Sequence, residues 1–567
     1  MFPFRFLAGV GAALLCVASP AFAAPETAKR SHDFADSIGV NIHVHYTDTV
    51  YFSRWNDLIL PKLQSLGVSH VRDGAVDTTL PEYYARFNQL GQNGIGTTFI
   101  FAPNFPLSKL ATFTNQVGNL EAFEGPNEYD TAGDANWVNV LRAYQQNLYG
   151  TVKGNPALAS KPVIGPSLVY NPQSWDALGS LSSWMDFGAT HSYPLGEFPS
   201  SNLDGTIFPR EAKLSGSKPL WSTETGYNNA LNAPANEGHK PVSEAIAAVY
   251  MPRLYLEHFN RGIRRSFGYE LIDLFPDSPR TEREHNFGLL RNDGSEKPAF
   301  VALKNLIALT KNPGSSFTPG TLDYSLGGQT ANVHRTLLQK SDGTFLLALW
   351  LEKSSWNTTI RAPITIPSQN VTVNFVTPIF RATRFVPNDG MAGTPLTLTN
   401  NALSVAVGEK VVLLELQTQA PVTTGLRALR CAANGKFVCA DNAGTSPLIA
   451  NRNSVGDWEK FDVQLMWANT YSIKALANNK FVCADNAGTS PLVANRTGVG
   501  DWEKFDIIPV GNNLFALKSY ANGKYVSARG GTLPLLANAT AIGDWEKFGF
   551  LDPYAPVSTQ SASGGAS

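Results

Sequence analysis

Over residues 34–311, short apolar runs typical of strands alternate with longer segments whose apolar residues recur at a helical period. Apolar runs predict eight strands, at 39–46, 68–74, 97–102, 120–124, 162–167, 185–189, 219–223 and 265–271. Apolar residues at a helical period predict helices, including 135–149, 243–259 and 298–311. Eight strand–helix units in this length fit a (β/α)8 barrel. An open doubly wound sheet is the alternative, but no G-x-G-x-x-G turn or phosphate-binding loop follows the early strands.

The pattern changes to short strands between turn residues over 312–416. Strand-like runs lie at 331–338, 345–351, 358–366, 371–375 and 411–416. The Gly, Asn, Asp and Pro residues between them are typical of a small antiparallel β-sandwich. Residues 417–425, rich in Thr, Pro and Gln, predict a linker to the next domain.

An internal repeat fills residues 426–551. The segment F-V-C-A-D-N-A-G-T-S-P-L returns unchanged in a second copy, and a looser third copy follows. Each copy ends in G-D-W-E-K-F, with tryptophans 44 and 43 residues apart. Three units of about four short strands suit a β-trefoil, whereas three propeller blades would be too few to close a ring. The tail, 552–567, is rich in Ser, Ala and Gly and predicts disorder.

The N-terminus, 1–23, has the pattern of a secretory signal peptide. Arg5 precedes a short apolar run that ends in A-F-A, which predicts cleavage and a secreted or periplasmic protein. The run is shorter than the roughly 20 residues that span a bilayer, so a membrane anchor is disfavoured. The formal net charge is −1, which makes nucleic acid and membrane surfaces poor candidate partners.

Three cysteines follow the signal peptide, and they do not form a metal-binding pattern. Cys439 and Cys483 occupy equivalent places in two repeats, which favours small core residues, while a disulfide between two of the three cysteines, Cys431 included, stays open. The sequence contains neither a metal-ligand cluster nor a nucleotide-binding loop. We therefore expect no cofactor and no metal, and we expect a monomer.

Two glutamates stand where a barrel places catalytic groups. Glu128 ends E-G-P-N-E after the fourth predicted strand, and Glu224 lies in L-W-S-T-E-T-G after the seventh. Barrel active sites form at the C-terminal ends of the strands. Cleavage of a glycosidic bond with retention requires a proton donor and a nucleophile, two carboxyl groups about 5–5.5 Å apart. The pair predicts this chemistry, against the alternative that each glutamate is a solvated loop charge.

The order of these motifs resembles a large clan of retaining (β/α)8 glycoside hydrolases that includes cellulases, mannanases and xylosidases. An Asn-Glu pair after strand four and a Glu after strand seven mark that clan. The resemblance implies that Glu128 is the acid/base, with a raised pKa, and that Glu224 is the nucleophile. It also implies that Arg72 keeps the nucleophile charged and that Asn127 binds the sugar 2-hydroxyl.

Other barrel residues have weaker assignments. By the same resemblance His191 and Tyr193, in H-S-Y after strand six, orient the two carboxylates, although both could simply pack a loop. Arg72 could instead pair with Asp73. His43 and His45 alternate on strand one, where they could line the pocket or be buried.

The eighth predicted strand departs from the clan's pattern. Many members have a tryptophan there as the floor of the sugar subsite, whereas this chain reads F-G-Y-E-L-I-D. Tyr269 or Glu270 therefore takes that place. Glu270 is a third acidic candidate and a candidate substrate ligand.

The repeats resemble fascin-like β-trefoils, in particular carbohydrate-binding modules that bind β-glucans at three sites. The shared motifs are Gly-Lys-(Phe/Tyr)-Val and Trp-Glu-Lys-Phe. An exposed tryptophan offers a flat apolar face to a pyranose ring, and a glutamate beside it can accept hydroxyls. The candidate sugar-binding residues are Trp458, Glu459, Trp502, Glu503, Trp545 and Glu546. The alternative is that these tryptophans belong to the core.

Together these features predict a secreted retaining glycoside hydrolase that acts on an extracellular polysaccharide, for which a β-glucan is one candidate. An exo-glycosidase or a transglycosylase on the same scaffold is a second hypothesis. A non-catalytic, lectin-like adhesin is a third, and the intact glutamate pair argues against it.

Overall fold

The computed structural model describes residues 25–554 except 170, 315, 419–423, 468–469 and 512–513. The predicted signal peptide lies outside the described residues, as do the middle of the predicted linker and most of the predicted tail. Among the described residues, no helix has the length and apolar character needed to cross a membrane.

Eight parallel strands form an N-terminal barrel, as predicted. We label them β1 to β8: Ile38–Asn41, His70–Gly74, Gly96–Ile100, Leu120–Glu124, Val163–Ile164, Gly188–His191, Leu220–Thr225 and Ser266–Gly268. Hydrogen bonds join them in the order β5-β4-β3-β2-β1-β8-β7-β6. A parallel bridge between Ile164 and Phe187 connects β5 to the residue before β6, which closes the barrel.

Helices follow the strands along the chain and surround the barrel. One short helix, Ser31–Asp36, precedes β1; the others are Val50–Ser53, Leu60–Leu66, Pro81–Gln92, Leu110–Val117, Trp137–Gly154, Pro172–Leu178, Phe208–Ser215, Glu244–Asn260 and Pro298–Thr310. Ser243 begins the helix Glu244–Asn260, because its side chain accepts a hydrogen bond from the backbone N–H of Ile246 at 3.3 Å. Residues 246–258 of that helix are all buried, so it lies inside the molecule.

Two sheets with a shared core form the next domain. The three-stranded sheet contains Tyr324–Gly328, Gln369–Phe375 and Ala402–Val407. The six-stranded sheet contains Thr394–Leu396, Arg381–Phe385, Val412–Gln417, Phe345–Leu351, Val333–Gln339 and Lys29–Arg30. The last of these strands comes from the N-terminus and pairs with Leu338 and Gln339. The chain before the barrel is thus part of the second domain.

The predicted strand over 358–366 is wrong. Only the short strands Trp356–Asn357 and Ala362–Pro363 pair there. The side chain of Asn357 accepts hydrogen bonds from the backbone N–H groups of Thr359 and Ile360, at 3.0 and 3.1 Å. This local turn replaces the extended backbone that the apolar residues indicate.

A buried ion pair joins the barrel to the two-sheet domain. Arg253, on the helix Glu244–Asn260, donates through Nε to Glu352 Oε2 at 2.9 Å. Trp350 donates to the same oxygen at 3.0 Å, and Ser200 donates to the other oxygen through its N–H and hydroxyl groups. Every oxygen of the buried carboxylate is therefore hydrogen-bonded, as a buried charge requires.

Three repeats of four strands form the C-terminal domain. The first repeat contains Gly425–Cys431, Phe437–Ala440, Leu448–Arg452 and Lys460–Trp467. The second contains Thr470–Ala475, Lys480–Ala484, Leu492–Arg496 and Lys504–Gly511, and the third Leu514–Ser519, Tyr525–Ser527, Leu536–Ala539 and Lys547–Leu551. The first and last strands of each repeat form a closed ring of six, because Gly425–Cys431 pairs with Lys547–Leu551. The middle two strands of each repeat form a hairpin.

The cysteines of the repeats are buried. Cys431, Cys439 and Cys483 are all free within the described residues. Burial raises the pKa of Cys439 and of Cys483 to about 12, so these thiols are protonated at neutral pH. The placement fits small core residues rather than reactive groups.

Candidate active site

Glu128 and Glu224 lie together at the C-terminal end of the barrel. Glu224 is on β7, and Glu128 follows β4 in a left-handed backbone conformation with φ 44°. His191, the last residue of β6, lies between them, with Nδ1 at 2.6 Å from Glu128 Oε1 and 3.4 Å from Glu224 Oε2. One oxygen of each glutamate and a nitrogen of His191 all lie within 4.8 Å of one another. The two carboxylates therefore face the same small space.

Arg72, on β2, holds Glu224 in place. Its Nη1 donates to Glu224 Oε1 at 2.8 Å, while Nε and Nη2 donate to the two oxygens of Glu124 at 2.7 and 2.9 Å. Burial would lower the pKa of Arg72, but Glu124 and Glu224 outweigh burial and raise it. The guanidinium is therefore always charged. Glu124, the buried last residue of β4, was missed by the sequence reasoning, although a glutamate in the apolar run L-E-A-F-E is an unusual core residue.

Asp73 does not take Arg72 as its partner. Its carboxylate accepts hydrogen bonds from His45 Nδ1 at 2.9 Å and from the backbone N–H groups of Val44 and Gly74, each at 2.7 Å. These bonds fix the turn that follows β1. Asp73 is thus a support for that turn, and Arg72 is left for Glu124 and Glu224.

Asn127 and Tyr193 complete the immediate surroundings of the carboxylates. Asn127 Oδ1 accepts from Arg72 Nη2 at 2.6 Å, which directs the amide N–H group away from Arg72, and the residue is exposed. The Tyr193 hydroxyl donates to Glu224 Oε2 at 2.9 Å. Burial, followed by the charge of Glu224, raises the pKa of Tyr193 well above its usual value. Tyr193 is therefore a permanent donor to Glu224.

The protonation of Glu128 differs from the expectation. Burial would raise the pKa of its carboxyl group, but the hydrogen bond and charge of His191 outweigh burial and lower it. Conversely, burial would lower the pKa of His191, but Glu224 and Glu128 outweigh burial and raise it. At a pH between the lowered pKa of Glu128 and the raised pKa of His191, the shared proton is therefore on His191, and Glu128 is its acceptor.

The two candidates after β8 lie in different environments. Tyr269 is partly buried, and its ring lies edge-on to His43 and Phe287, with centroids 5.6 and 5.4 Å apart. Glu270 has no exposed surface, and its Oε2 accepts from the Tyr51 hydroxyl at 3.0 Å. Burial raises the pKa of Glu270 well above its usual value. Tyr269 therefore keeps some exposed surface, whereas Glu270 is a fully buried acid, which does not fit its expected role as a substrate ligand.

Tyr46 is an exposed aromatic residue of the site that the sequence reasoning did not single out. Its ring stacks on His43, with centroids 4.6 Å and planes 6° apart, and the residue is 37% exposed. Burial is the main cause that raises the pKa of its hydroxyl. The run H-V-H-Y after β1 was the available signal.

Two uncharged histidines border the same space. Burial is the main cause that lowers the pKa of His43 to about 3 and that of His239 to about 4. His239, from the segment after β7, lies edge-on to Tyr193 with ring centroids 4.7 Å apart. Neutral imidazoles both donate and accept hydrogen bonds, which suits hydroxyl groups.

Glu128, His191 and Glu224 also have the spacing of a metal site among the described residues. Arg72 Nη1 lies 2.8 Å from Glu224, so a permanent positive charge is already next to that carboxylate. A second cation there would be repelled. The geometry favours proton and carboxylate chemistry over metal binding.

The repeated Trp-Glu motifs divide into exposed and buried parts. Trp458 and Trp502 are 39% and 37% exposed, whereas Trp545 is partly buried against the core of its domain. The glutamates beside them, Glu459, Glu503 and Glu546, are 5%, 5% and 9% exposed. Each accepts a hydrogen bond from the backbone N–H of the glycine three residues earlier, at 2.7, 2.7 and 2.8 Å. The glutamates therefore build the turns, a correction to their expected role as sugar ligands.

No protein-family model matches the chain, and no curated protein matches it. A family 39 glycoside hydrolase from Bacteroides cellulosilyticus WH2 is 18% identical, with a TM-score of 0.43 over 68% of this chain and 82% of its own. A glucosidase from Croceicoccus marinus is 11% identical, with a TM-score of 0.45 over 70% and 98%. The designed three-fold symmetric protein ThreeFoil is 20% identical, with a TM-score of 0.22 over 23% and 99%. These likenesses are weak, and the chemistry of the site follows from its own geometry.

Proposed function

We propose that the barrel is a retaining glycoside hydrolase. The observation that carries this proposal is the separation of the two carboxyl groups, whose oxygens approach within 4.8 Å on either side of His191. Retaining enzymes need about 5–5.5 Å between the carboxyl groups, whereas inverting enzymes need about 6.5–9.5 Å to admit a water molecule. The short separation favours direct attack by a carboxylate on the sugar.

In the first step, Glu224 attacks the anomeric carbon and the glycosidic bond breaks. Arg72 and Tyr193 hold Glu224 as a charged, oriented nucleophile. The proton shared with His191 moves to Glu128 Oε1, and the neutral Glu128 carboxyl group then donates it to the departing glycosidic oxygen. In the second step, Glu128 removes a proton from water, and the water oxygen attacks the anomeric carbon of the glycosyl ester. The bond from that carbon to Glu224 breaks, and the sugar leaves with its original anomeric configuration.

The substrate class follows from the charges and surfaces around the site. His43 and His239 are neutral, and Tyr46 and Tyr269 offer aromatic faces, so an uncharged pyranose is favoured over an acidic sugar. We propose β-linked extracellular polysaccharide as the substrate and secretion by the N-terminal signal. We also propose that the C-terminal domain is a β-trefoil that holds the enzyme on this polymer through exposed tryptophans.

Variants of the two glutamates test the mechanism. Glu224→Ala should lose turnover by several orders of magnitude, and azide should restore it with a glycosyl azide of inverted configuration, because azide fills the space of the lost nucleophile. Glu128→Ala should still form the glycosyl enzyme rapidly from aryl glycosides with good leaving groups, which need little protonation. The assay is aryl glycoside hydrolysis, with product configuration determined by NMR.

Glu82→Gln is the matched control, since Glu82 is an exposed residue at the start of the helix Pro81–Gln92. It should keep wild-type activity. Near-normal activity of both catalytic variants on polysaccharide would refute the assignment. A wild-type protein that binds polysaccharide but never cleaves it would support the adhesin hypothesis instead.

A further inference from the structure

The three repeats of the C-terminal domain are built alike but do not present the same surface. In the first and second repeats the tryptophan is exposed, at 39% for Trp458 and 37% for Trp502. In the third, Trp545 packs against the buried core.

An ion pair accompanies the exposed tryptophan in the first two repeats. Asp441 Oδ1 accepts from Arg452 Nη2 at 2.7 Å, and Asp485 Oδ1 accepts from Arg496 Nη2 at the same 2.7 Å. All four side chains are 34–39% exposed. The turn that carries each aspartate contacts the turn that carries each tryptophan. The same combination of a flat ring and a half-exposed ion pair is thus built twice.

The third repeat lacks this pair. Strand register equates three positions, because Phe437 pairs with Arg452, Phe481 with Arg496, and Tyr525 with Ala539. Alanine therefore replaces the arginine. Four positions after this paired aromatic residue, the first two repeats have Asp441 and Asp485, whereas the third has Arg529. Both members of the pair are changed, and the third repeat cannot form it.

We infer that the C-terminal domain binds polysaccharide at two sites, one in the first repeat and one in the second, and that the third repeat is structural. The occupant rests on the proposed function, since it is the polymer that the barrel cleaves. At each site the tryptophan covers the C–H face of a pyranose. The aspartate accepts and the arginine donates hydrogen bonds to hydroxyl groups at the edge of the ring.

The chemistry of the pair selects an uncharged sugar. Each arginine lies 2.7 Å from its aspartate and 3.8–3.9 Å from the buried glutamate of the Trp-Glu motif, so the site has no excess positive charge and would repel an acidic sugar. Two sites on one rigid domain engage one polymer together, which increases retention by about 10²–10⁴ over a single site. Loss of either site should therefore remove most of the retention.

Tryptophan-to-phenylalanine variants of the full-length protein test the inference. The measurement is the fraction that sediments with insoluble β-1,3-glucan, β-1,6-glucan and cellulose, each tested alone. On the polymer that the wild type binds, Trp458→Phe and Trp502→Phe should each weaken retention at least tenfold, because the avidity of about 10²–10⁴ is lost. Arg452→Met and Arg496→Met should act in the same direction. Trp545→Phe should bind as the wild type does.

Thermal unfolding of every variant separates binding from folding. Equal loss of retention in Trp545→Phe and Trp458→Phe, both folded, would overturn the inference in favour of three equivalent sites. Undiminished retention in the folded Trp458→Phe/Trp502→Phe double variant would also overturn it. If the wild type binds none of the three polymers while it still hydrolyses aryl glycosides, the inference fails and the proposed function stands. If the polymer is bound but no glycoside is cleaved, the proposed function fails and the two sites stand.

Discussion

At the scale of single residues, the two carboxylates of the site are held by different kinds of partner. Glu224 receives a permanent cation from Arg72 and a permanent donor from Tyr193. The hydrogen-bond partner of Glu128 is His191, a group that can lose its proton. A nucleophile must be charged throughout, whereas an acid/base must exchange a proton in each step. The partners thus match the roles that we propose.

The first prediction concerns His191 as the proton store. The pKa of His191 is raised above its ordinary 6.5, so in the wild type the shared proton is present below that raised pKa and is lost as the pH rises through it. His191→Gln keeps a hydrogen-bond donor for Glu128 but holds no exchangeable proton. The alkaline limb of the kcat/KM profile should therefore move to lower pH. In the variant this limb should report the loss of the proton of Glu128 alone.

The control is His32→Gln, on the helix before β1, which should leave the profile unchanged. Aryl glycosides with good leaving groups should be nearly insensitive to His191→Gln in the glycosylation step, because they need little protonation. An unchanged alkaline limb in a folded His191→Gln variant would show that the proton does not come from this pair.

The sequence could predict part of this site. The shared location of Glu128 and Glu224 could be predicted because an Asn-Glu motif and a strand end are local patterns. Glu124 was missed because its partner, Arg72, lies 52 residues earlier in the chain and only barrel closure brings the two together. Tyr46 was missed because stacking on His43 depends on a turn that Asp73 fixes from the neighbouring strand.

At the scale of elements, the strongest periodic segments were predicted well. The strand Phe345–Leu351 has the predicted bounds, and the helix Glu244–Asn260 differs from its predicted bounds by one residue at each end. The strand Lys29–Arg30 was not predicted, because a two-residue strand has no periodicity and its partner lies some 300 residues away. Residues 358–366 do not form the predicted strand, because the Asn357 side chain accepts a hydrogen bond from the backbone N–H of Thr359 and so forms a local turn. Hydrophobic periodicity does not reveal such side-chain bonds.

The second prediction concerns the contact between the helix Glu244–Asn260 and the two-sheet domain. Arg253→Met should lower the free energy of unfolding by about 3–5 kcal/mol, because it leaves Glu352 charged and unpaired in a buried site. Lys109→Met is the control, since the Lys109–Asp77 pair is exposed and should contribute no more than about 1 kcal/mol. Denaturant unfolding measures both. Equal, small losses would mean that water or movement relieves the Glu352 charge.

At the scale of the whole molecule, cleavage and binding are assigned to separate domains. The proposed catalytic groups all come from the barrel, and among the residues whose side chains are described the exposed tryptophans come from the C-terminal repeats. The two-sheet domain is tied to the barrel by Arg253 and Glu352 and by the N-terminal strand. Such a division predicts that the size of the substrate decides whether the C-terminal domain affects the cleavage rate. A short soluble sugar needs only the site around Glu128 and Glu224.

The last prediction uses that division. The Trp458→Phe/Trp502→Phe double variant should hydrolyse soluble oligosaccharides with a kcat/KM equal to that of the wild type. On insoluble polysaccharide at low loading, its initial rate should fall at least tenfold, because retention loses an avidity of about 10²–10⁴. The rate should recover as the polymer concentration rises, since bulk concentration then replaces retention. Trp545→Phe is the control. Parallel losses on both substrates would place the repeats at the active site, and no loss on either would show that cleavage does not depend on retention.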